Sequence, residues 1–214
     1  LWTQSRPTWS SFGVMGEMTI DVSPLLPWGL IVFPTVALGL NVFNALVWPR
    51  HGSPGAAGRV SVLIPARNEE RGIELAVRSV FESGTDVLEV IVYDDGSTDK
   101  TPEILARLTA EFPKLRVELG SGLPEGWVGK PHACHKLATV ASGDVLLFLD
   151  ADVEILPNGL NHILGLMADK HADLVTAVPR QATGSFFERL VLPLLHLTYT
   201  SWLPMPLVWL THDP

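Results

Sequence analysis

Leu146-Leu147-Phe148-Leu149-Asp150-Ala151-Asp152 is an apolar run that stops at two carboxylates. An unbroken Leu/Phe run of this length reads as a strand buried on both faces of a parallel sheet. In open α/β sheets, ligands bind beyond the carboxyl ends of the strands, and Asp150 and Asp152 fall at that end. Residues i and i+2 of an extended chain share a face. The pair therefore offers two hard oxygen donors on one side, which suits a divalent cation that also holds a diphosphate. A pair that only caps the following turn is the plainer alternative.

The pattern on either side is regular. Val60-Ser61-Val62-Leu63-Ile64 reads as a strand stopped by Pro65. Asn68 can cap a helix with Glu69 and Glu70 in its first turn. Ile73, Ala76, Val77, Val80 and Phe81 give that helix an apolar stripe. Val87–Tyr93 is a second strand, ending in Asp94-Asp95-Gly96-Ser97. Thr101 caps a further helix with Pro102 at its first position, and Ile104, Leu105, Leu108 and Phe112 face inward. Leu115–Leu119 is a third strand. After the Gly- and Pro-rich loop Gly120–Gly129 comes a helix with Ala133, Leu137 and Val140 inward. The Asp150/Asp152 strand, a helix over Pro157–Lys170 and a fifth strand at Leu174–Val178 complete the series. Strand starts recur at about 30 residues, the length of one βα unit. The expectation is a mostly parallel sheet with helices on both faces.

The 214 residues carry a net charge of -8, which argues against nucleic acid as a partner. Apolar residues make up 47%, high for a fully soluble protein. The single Cys134 excludes an intrachain disulfide and reads as a small apolar residue on a helix. His132 and His135 could share a helix face, but no third zinc ligand is placed by the sequence.

Residues 1–22 show no clear period and read as poorly ordered. Residues 23–49 hold no charged side chain and read as a transmembrane helix, with Trp28 and Trp48 at the interfaces. Asn41, Asn44 and Pro34 weaken that pattern, and a buried core helix is the alternative. Arg50, His51 and Arg59 come directly after the span and put the rest of the chain on the cytoplasmic side of the cell membrane. Residues 50–58 are a linker, 59–185 the α/β domain, and 186–214 a hydrophobic interfacial or membrane-associated segment. Within that segment Pro193, Pro204 and Pro206 favour broken helices in the membrane interface over a spanning helix.

Four groups lie at the carboxyl ends of the strands. Pro65-Ala66-Arg67-Asn68-Glu69 turns into a helix N-terminus, whose free backbone N–H groups can meet a nucleotide. In Asp94-Asp95-Gly96-Ser97 a carboxylate can accept hydrogen bonds from a base or ribose, and Gly96 allows a sharp turn. In Gly126-Trp127-Val128-Gly129-Lys130, Lys130 is a point charge for a phosphate. Asp150-Ala151-Asp152 is the fourth. Singly these are a capped helix, a common turn, a solvated lysine and a capping pair.

Together, in this order, they resemble family 2 glycosyltransferases of the GT-A fold. The likeness rests on Ser61–Glu70, Val92–Asp99 and Asp150-Ala151-Asp152, and covers about residues 59–210. Gly126–Cys134 and Pro179-Arg180-Gln181 resemble the membrane-bound branch that acts on carotenoid acids (the diaponeurosporenoate type) or is associated with hopanoids. The resemblance implies a Rossmann-like GT-A domain that moves a sugar from a nucleotide-diphosphate sugar to a lipid-like acceptor, with inversion. Pro65, Ala66, Arg67, Glu69 and Asp95 would hold the nucleoside, with Asp94 beside it. Lys130 would contact the nucleotide or diphosphate. Asp152, with Asp150, would bind Mg2+ or Mn2+ bridging the diphosphate. The general base of such enzymes lies on a later acidic motif, expected beyond Pro214 in a chain read as truncated at its C-terminus. A nucleotidyltransferase with a similar sheet is an alternative, but Pro65–Glu70 lacks the glycines such enzymes carry there. A truncated, non-catalytic, nucleotide-binding membrane protein is another.

Overall fold

The computed structural model describes residues 26–48, 58–202, 204 and 207. Val60–Ala66 forms the central strand β1. Its side chains alternate, as the period of a strand requires. Val62, Ile64 and Ala66 join a core with Ile73, Val77, Leu105, Leu108, Leu160 and Leu164. Leu63 faces the other way, into a smaller cluster with Ile91, Tyr93, Ala133 and Leu137.

β2 (Glu89–Asp94), β3 (Leu115–Leu119) and β4 (Val145–Phe148) complete a sheet of order β3-β2-β1-β4. Every pairing is parallel. The crossovers carry helices α2 (Ile73–Glu82), α3 (Thr101–Glu111) and α4 (Gly129–Val140), and α5 (Gly159–Asp169) follows β4. α2, α3 and α5 cover one face and α4 the other. This is the expected architecture of a parallel sheet between helices.

Several local readings are corrected. β1 does not stop at Pro65 but runs through it. Leu149 N donates to Leu63 O on the β4 side. Pro65, two residues on, turns toward the same side, and the β1–β4 pairing ends at Leu63–Phe148, before the position its missing N–H would serve. β4 is not buried on both faces. It is an edge strand, with Leu146 39% and Phe148 47% exposed. Leu174–Val178 forms no strand: Leu174 is 85% exposed and no described strand pairs with the outer side of β4. Without a partner for its backbone groups, an apolar run does not become a strand. Val140, expected inward, is 37% exposed at the last turn of α4.

The helix starts differ too. α2 begins at Ile73, with Gly72 at its cap position and no side-chain cap. Asn68 instead takes a positive φ of 57°. Its Oδ1 accepts from Thr98 N at 2.8 Å, and its own N–H donates to Ser97 Oγ at 2.9 Å. Thr101 is not a cap either. Its hydroxyl accepts from Glu69 N at 2.9 Å, while Asp99 Oδ1 accepts from Thr101 N. The capping side chains join neighbouring loops instead of closing their own helices.

The described residues divide into two compact units, one within Trp48–Leu192 and the other within Leu1–Val47 and Pro193–Pro214. The sheet lies in the first. The second holds α1 (Leu26–Val47) and the later part of α6 (Phe186–Thr200), which carries Pro193 inside it. Among the described residues, Pro27–Val47 is the one helix long and apolar enough to cross a membrane. The asparagines that weakened the span in the sequence have partners. Asn41 Nδ2 donates to Ser201 Oγ at 2.7 Å and Asn44 Nδ2 to Thr200 O at 2.7 Å. Thr200 Oγ1 donates to Asn41 Oδ1. Phe33 and Trp202 meet alongside, with ring centroids 5.5 Å apart. Residues 1–25, with the disordered-segment reading, lie outside the described residues. So do residues 49–57, which hold all of the 50–58 linker but Gly58, and residues 203, 205, 206 and 208–214.

Candidate functional site

A parallel sheet brings the carboxyl ends of its strands to one edge, and here three of them meet a helix start. β1 delivers Pro65 and Ala66 and the turn holding Arg67 and Glu69. β2 delivers Asp95, and the chain after β4 delivers Asp150, Ala151 and Asp152. The first turn of α4 adds Gly129, Lys130 and Ala133. Together they line an open cavity of about 330 Å³. Of the residues predicted from sequence, Pro65, Ala66, Arg67, Glu69, Asp95, Lys130, Asp150 and Asp152 line it. Asp94 does not. It is 4% exposed, and its Oδ1 accepts from Ser97 N at 2.9 Å, fixing the turn in which Gly96 takes φ +71°.

The two carboxylates after β4 arrive by a different route from the one the sequence suggested. β4 ends at Phe148, and Val153 N donates to Asp150 O at 3.1 Å. A turn, not strand alternation, carries both aspartates to the cavity. The expected free N–H groups of the Pro65–Glu69 turn are also corrected. Asn68 N, Glu69 N and Glu70 N donate to Ser97 Oγ, Thr101 Oγ1 and Asp99 Oδ2. These donors fasten two loops together, so what that turn offers a ligand is the Arg67 and Glu69 side chains.

The charges are arranged in pairs. Lys130 Nζ stands 2.6 Å from Asp150 Oδ1, and this contact raises the Lys130 ammonium above the usual lysine range. Arg67 Nη1 lies 3.6 Å from Asp95 Oδ2. The Asp95 carboxylate is 12% exposed and Arg67 is 65% exposed, so the acid is the enclosed partner and the guanidinium the solvent-facing one. Glu69 is held above the ordinary carboxyl range, first by burial and then by the Asp152 and Asp99 charges. Four carboxylates thus face two cations across one cleft.

Glycines set the closeness of the parts, and sequence reasoning missed the main one. A Cβ on Gly72 would sit 2.7 Å from Ala151 O and 2.9 Å from Asp152 Cα. The β1–α2 turn and the Asp150–Asp152 turn therefore touch backbone to backbone. The available signal was a glycine at the start of a predicted helix, where it costs stability without a packing reason. His132, weighed in the sequence only as a zinc ligand, is a buried ring beside the cavity-lining Ala133. It is 2% exposed, edge-on to Tyr93 and Trp127, and its Nδ1 has no hydrogen-bond partner. Cys134, on the same helix, is half-buried, and burial pushes its thiol up, away from reactivity.

Among the described residues, no three His, Cys, Asp or Glu side chains converge to hold a metal ion by themselves. Asp150 and Asp152 fit a hard divalent cation that takes most of its oxygens from a diphosphate and water, as Mg2+ characteristically does.

The sequence pattern described as glycosyl transferase family 2 matches residues 61–203. A beta-monoglucosyldiacylglycerol synthase of Nostoc sp. is 33% identical over 150 residues, 66% of this chain and 32% of that protein. A 4,4'-diaponeurosporenoate glycosyltransferase of Staphylococcus aureus is 37% identical over 168 residues, 74% of this chain and 42% of the relative. The chain thus spans well under half the length of these curated relatives. Among solved structures, a mannosyltransferase of Pyrobaculum calidifontis in complex with GDP-Man and Mn2+ superposes with a TM-score of 0.53 at 24% identity, over 65% of this chain and 43% of that one. That likeness is one of fold, and the fold is GT-A.

Proposed function

We propose a function from one premise: the chain belongs to glycosyl transferase family 2. Its cleft binds a nucleotide-diphosphate sugar, and the protein transfers the sugar to a lipid-like acceptor. The observation that carries this is the convergence of Arg67, Glu69, Asp95, Lys130, Asp150 and Asp152 on one cavity at the carboxyl ends of β1, β2 and β4. Asp95 accepts hydrogen bonds from the nucleoside, with Arg67 moving aside or over it. Lys130 leaves Asp150 for a phosphate oxygen.

The charge balance supports a divalent cation. A diphosphate is repelled by a cleft with more carboxylates than cations, unless a cation lies between. Asp152 and Asp150 would hold Mg2+ or Mn2+ there. Bound, the metal supplies positive charge to the leaving diphosphate. Transfer is by one direct displacement with inversion, a carboxylate taking the acceptor proton.

The acceptor and the location follow from other features. The names of the relatives, one a monoglucosyldiacylglycerol synthase and one a diaponeurosporenoate glycosyltransferase, support an apolar acceptor. Pro27–Val47 would cross the membrane, and the start of α6 would lie along it. Arg50 and Arg59 after the span favour a cytoplasmic donor domain. The test is transfer of label from a panel of nucleotide sugars into a lipid extract, with Mn2+ and with EDTA. Metal-dependent label in the organic phase supports the function. Label in no lipid with any donor contradicts it.

A further inference from the structure

We propose that Arg180 and Arg189 form a second binding site, which takes the anionic head of an amphiphile while its tail lies along the start of α6. The two arginines line one cavity of about 620 Å³ together with Gln181 and Thr183. This cavity shares no lining residue with the nucleotide cleft.

The arginines stand out by what they lack. Arg59, Arg67, Arg78, Arg107 and Arg116 each pair with a carboxylate. Among the described residues only Arg71, Arg180 and Arg189 have no such partner, and only Arg180 and Arg189 share a cavity. In a chain of net charge -8, two guanidinium groups without a carboxylate on one cavity do not reflect a shortage of acids. The nearest acid in sequence, Glu188, is committed elsewhere. Its Oε2 accepts from Gly184 N at 2.7 Å and Ser185 N at 2.8 Å, and Glu188 N donates to Ser185 Oγ at 3.2 Å. This reciprocal box closes the N-terminus of α6. It takes up the Gly184, Ser185 and Glu188 N–H groups and the Glu188 carboxylate, leaving the two guanidinium groups as the charged anion receptors.

The apolar half of the site is the helix itself. Phe186, Phe187, Leu190 and Val191 follow at helical spacing, and each is more than half exposed. Arg189, three residues on from Phe186, flanks this stripe at its edge. A planar guanidinium pairs two-fold with a carboxylate or phosphate, while the stripe gains only by meeting hydrocarbon. A head with two or more anionic oxygens and an apolar tail satisfies both. An acidic bilayer lipid and an acidic acceptor share that chemistry.

The test is lipid retention by the full chain in a neutral maltoside detergent, read by native mass spectrometry. Phosphatidylglycerol, palmitate, phosphatidylcholine and inorganic phosphate are added separately. Phosphatidylglycerol or palmitate should be held about tenfold more tightly than phosphatidylcholine, and Arg180→Gln/Arg189→Gln should abolish that preference. Preference for phosphatidylglycerol identifies a bilayer lipid as the source, and preference for palmitate an acidic acceptor. High salt should weaken the preference in the unaltered chain, an outcome that does not depend on any variant folding. Equal retention of phosphatidylcholine, unchanged retention by the variant, or displacement by inorganic phosphate at the same concentration as the tailed anions would overturn the proposal. Nucleoside diphosphate binding on the same sample reports on the other cleft, so the two sites fail or stand separately.

Discussion

Lys130 Nζ and Asp150 Oδ1 are 2.6 Å apart across the cleft, joining the first turn of α4 to the turn after β4. Both side chains are more than half exposed, so the pair adds little to stability. Its importance is in what each partner does when the other is drawn away. A phosphate that takes the ammonium frees the carboxylate for a cation.

Lys130→Met should therefore weaken nucleoside diphosphate affinity by about tenfold. The unfolding free energy should change by less than about 1 kcal/mol. Calorimetric titration and a denaturant melt on the same preparation separate these effects. A stability loss with unchanged affinity would make the pair structural.

Gly72→Ala tests the backbone contact between the two turns. Gly72 has φ -110°, which any residue can adopt, so the constraint is the approach of Ala151 O and Asp152 Cα and not the dihedral angle. The alanine should cost about 1–3 kcal/mol by overpacking, and should weaken Mn2+-dependent binding more than metal-free nucleotide binding. Gly159→Ala, where a Cβ meets only Ile155 at 3.4 Å, should do neither.

Asp95→Asn keeps the shape of the site but removes charge and acceptor capacity. Nucleoside affinity should drop several-fold to about tenfold, with the melting curve little changed. Full affinity in the variant would place the nucleoside elsewhere.

Glu69 gives a pH signature. Burial and the Asp152 charge raise its folded-state pKa above the ordinary value of 4.5. The folded chain then holds a proton that the unfolded chain releases, so this group's contribution to stability falls as pH rises from 4.5 through the raised value. Glu69→Gln should remove that part of the pH dependence and leave the chain more stable at neutral pH. Melts of parent and variant across this range check the sign.

Much of the site was legible because the sheet is parallel. Apolar runs ending at Pro65, Asp95 and Asp150 put those ends on one edge whatever the details of the helices between. What stayed hidden depended on contacts distant in sequence. Asn68 looks like a helix cap because Asn at that position usually is one, but its partner is Thr98 in the next loop. Asp94 and Asp95 are equivalent in composition, and only the facing of β2 turns Asp95 to the cleft and Asp94 inward. Gly72 signals a close approach at the helix start but not that the Ala151 carbonyl is what approaches. Leu174–Val178 has the composition of a strand but no described strand to pair with.

The central claim is a metal-dependent affinity for a nucleoside diphosphate in the cleft formed by Asp95, Lys130, Asp150 and Asp152. Calorimetric titration of the full chain with UDP and with GDP, each with excess Mn2+ and again with EDTA, tests it directly. At least one nucleotide should bind about tenfold or more tightly with Mn2+, and Asp152→Asn should abolish that difference. Binding of neither nucleotide, or an undiminished Mn2+ dependence in Asp152→Asn, would contradict it.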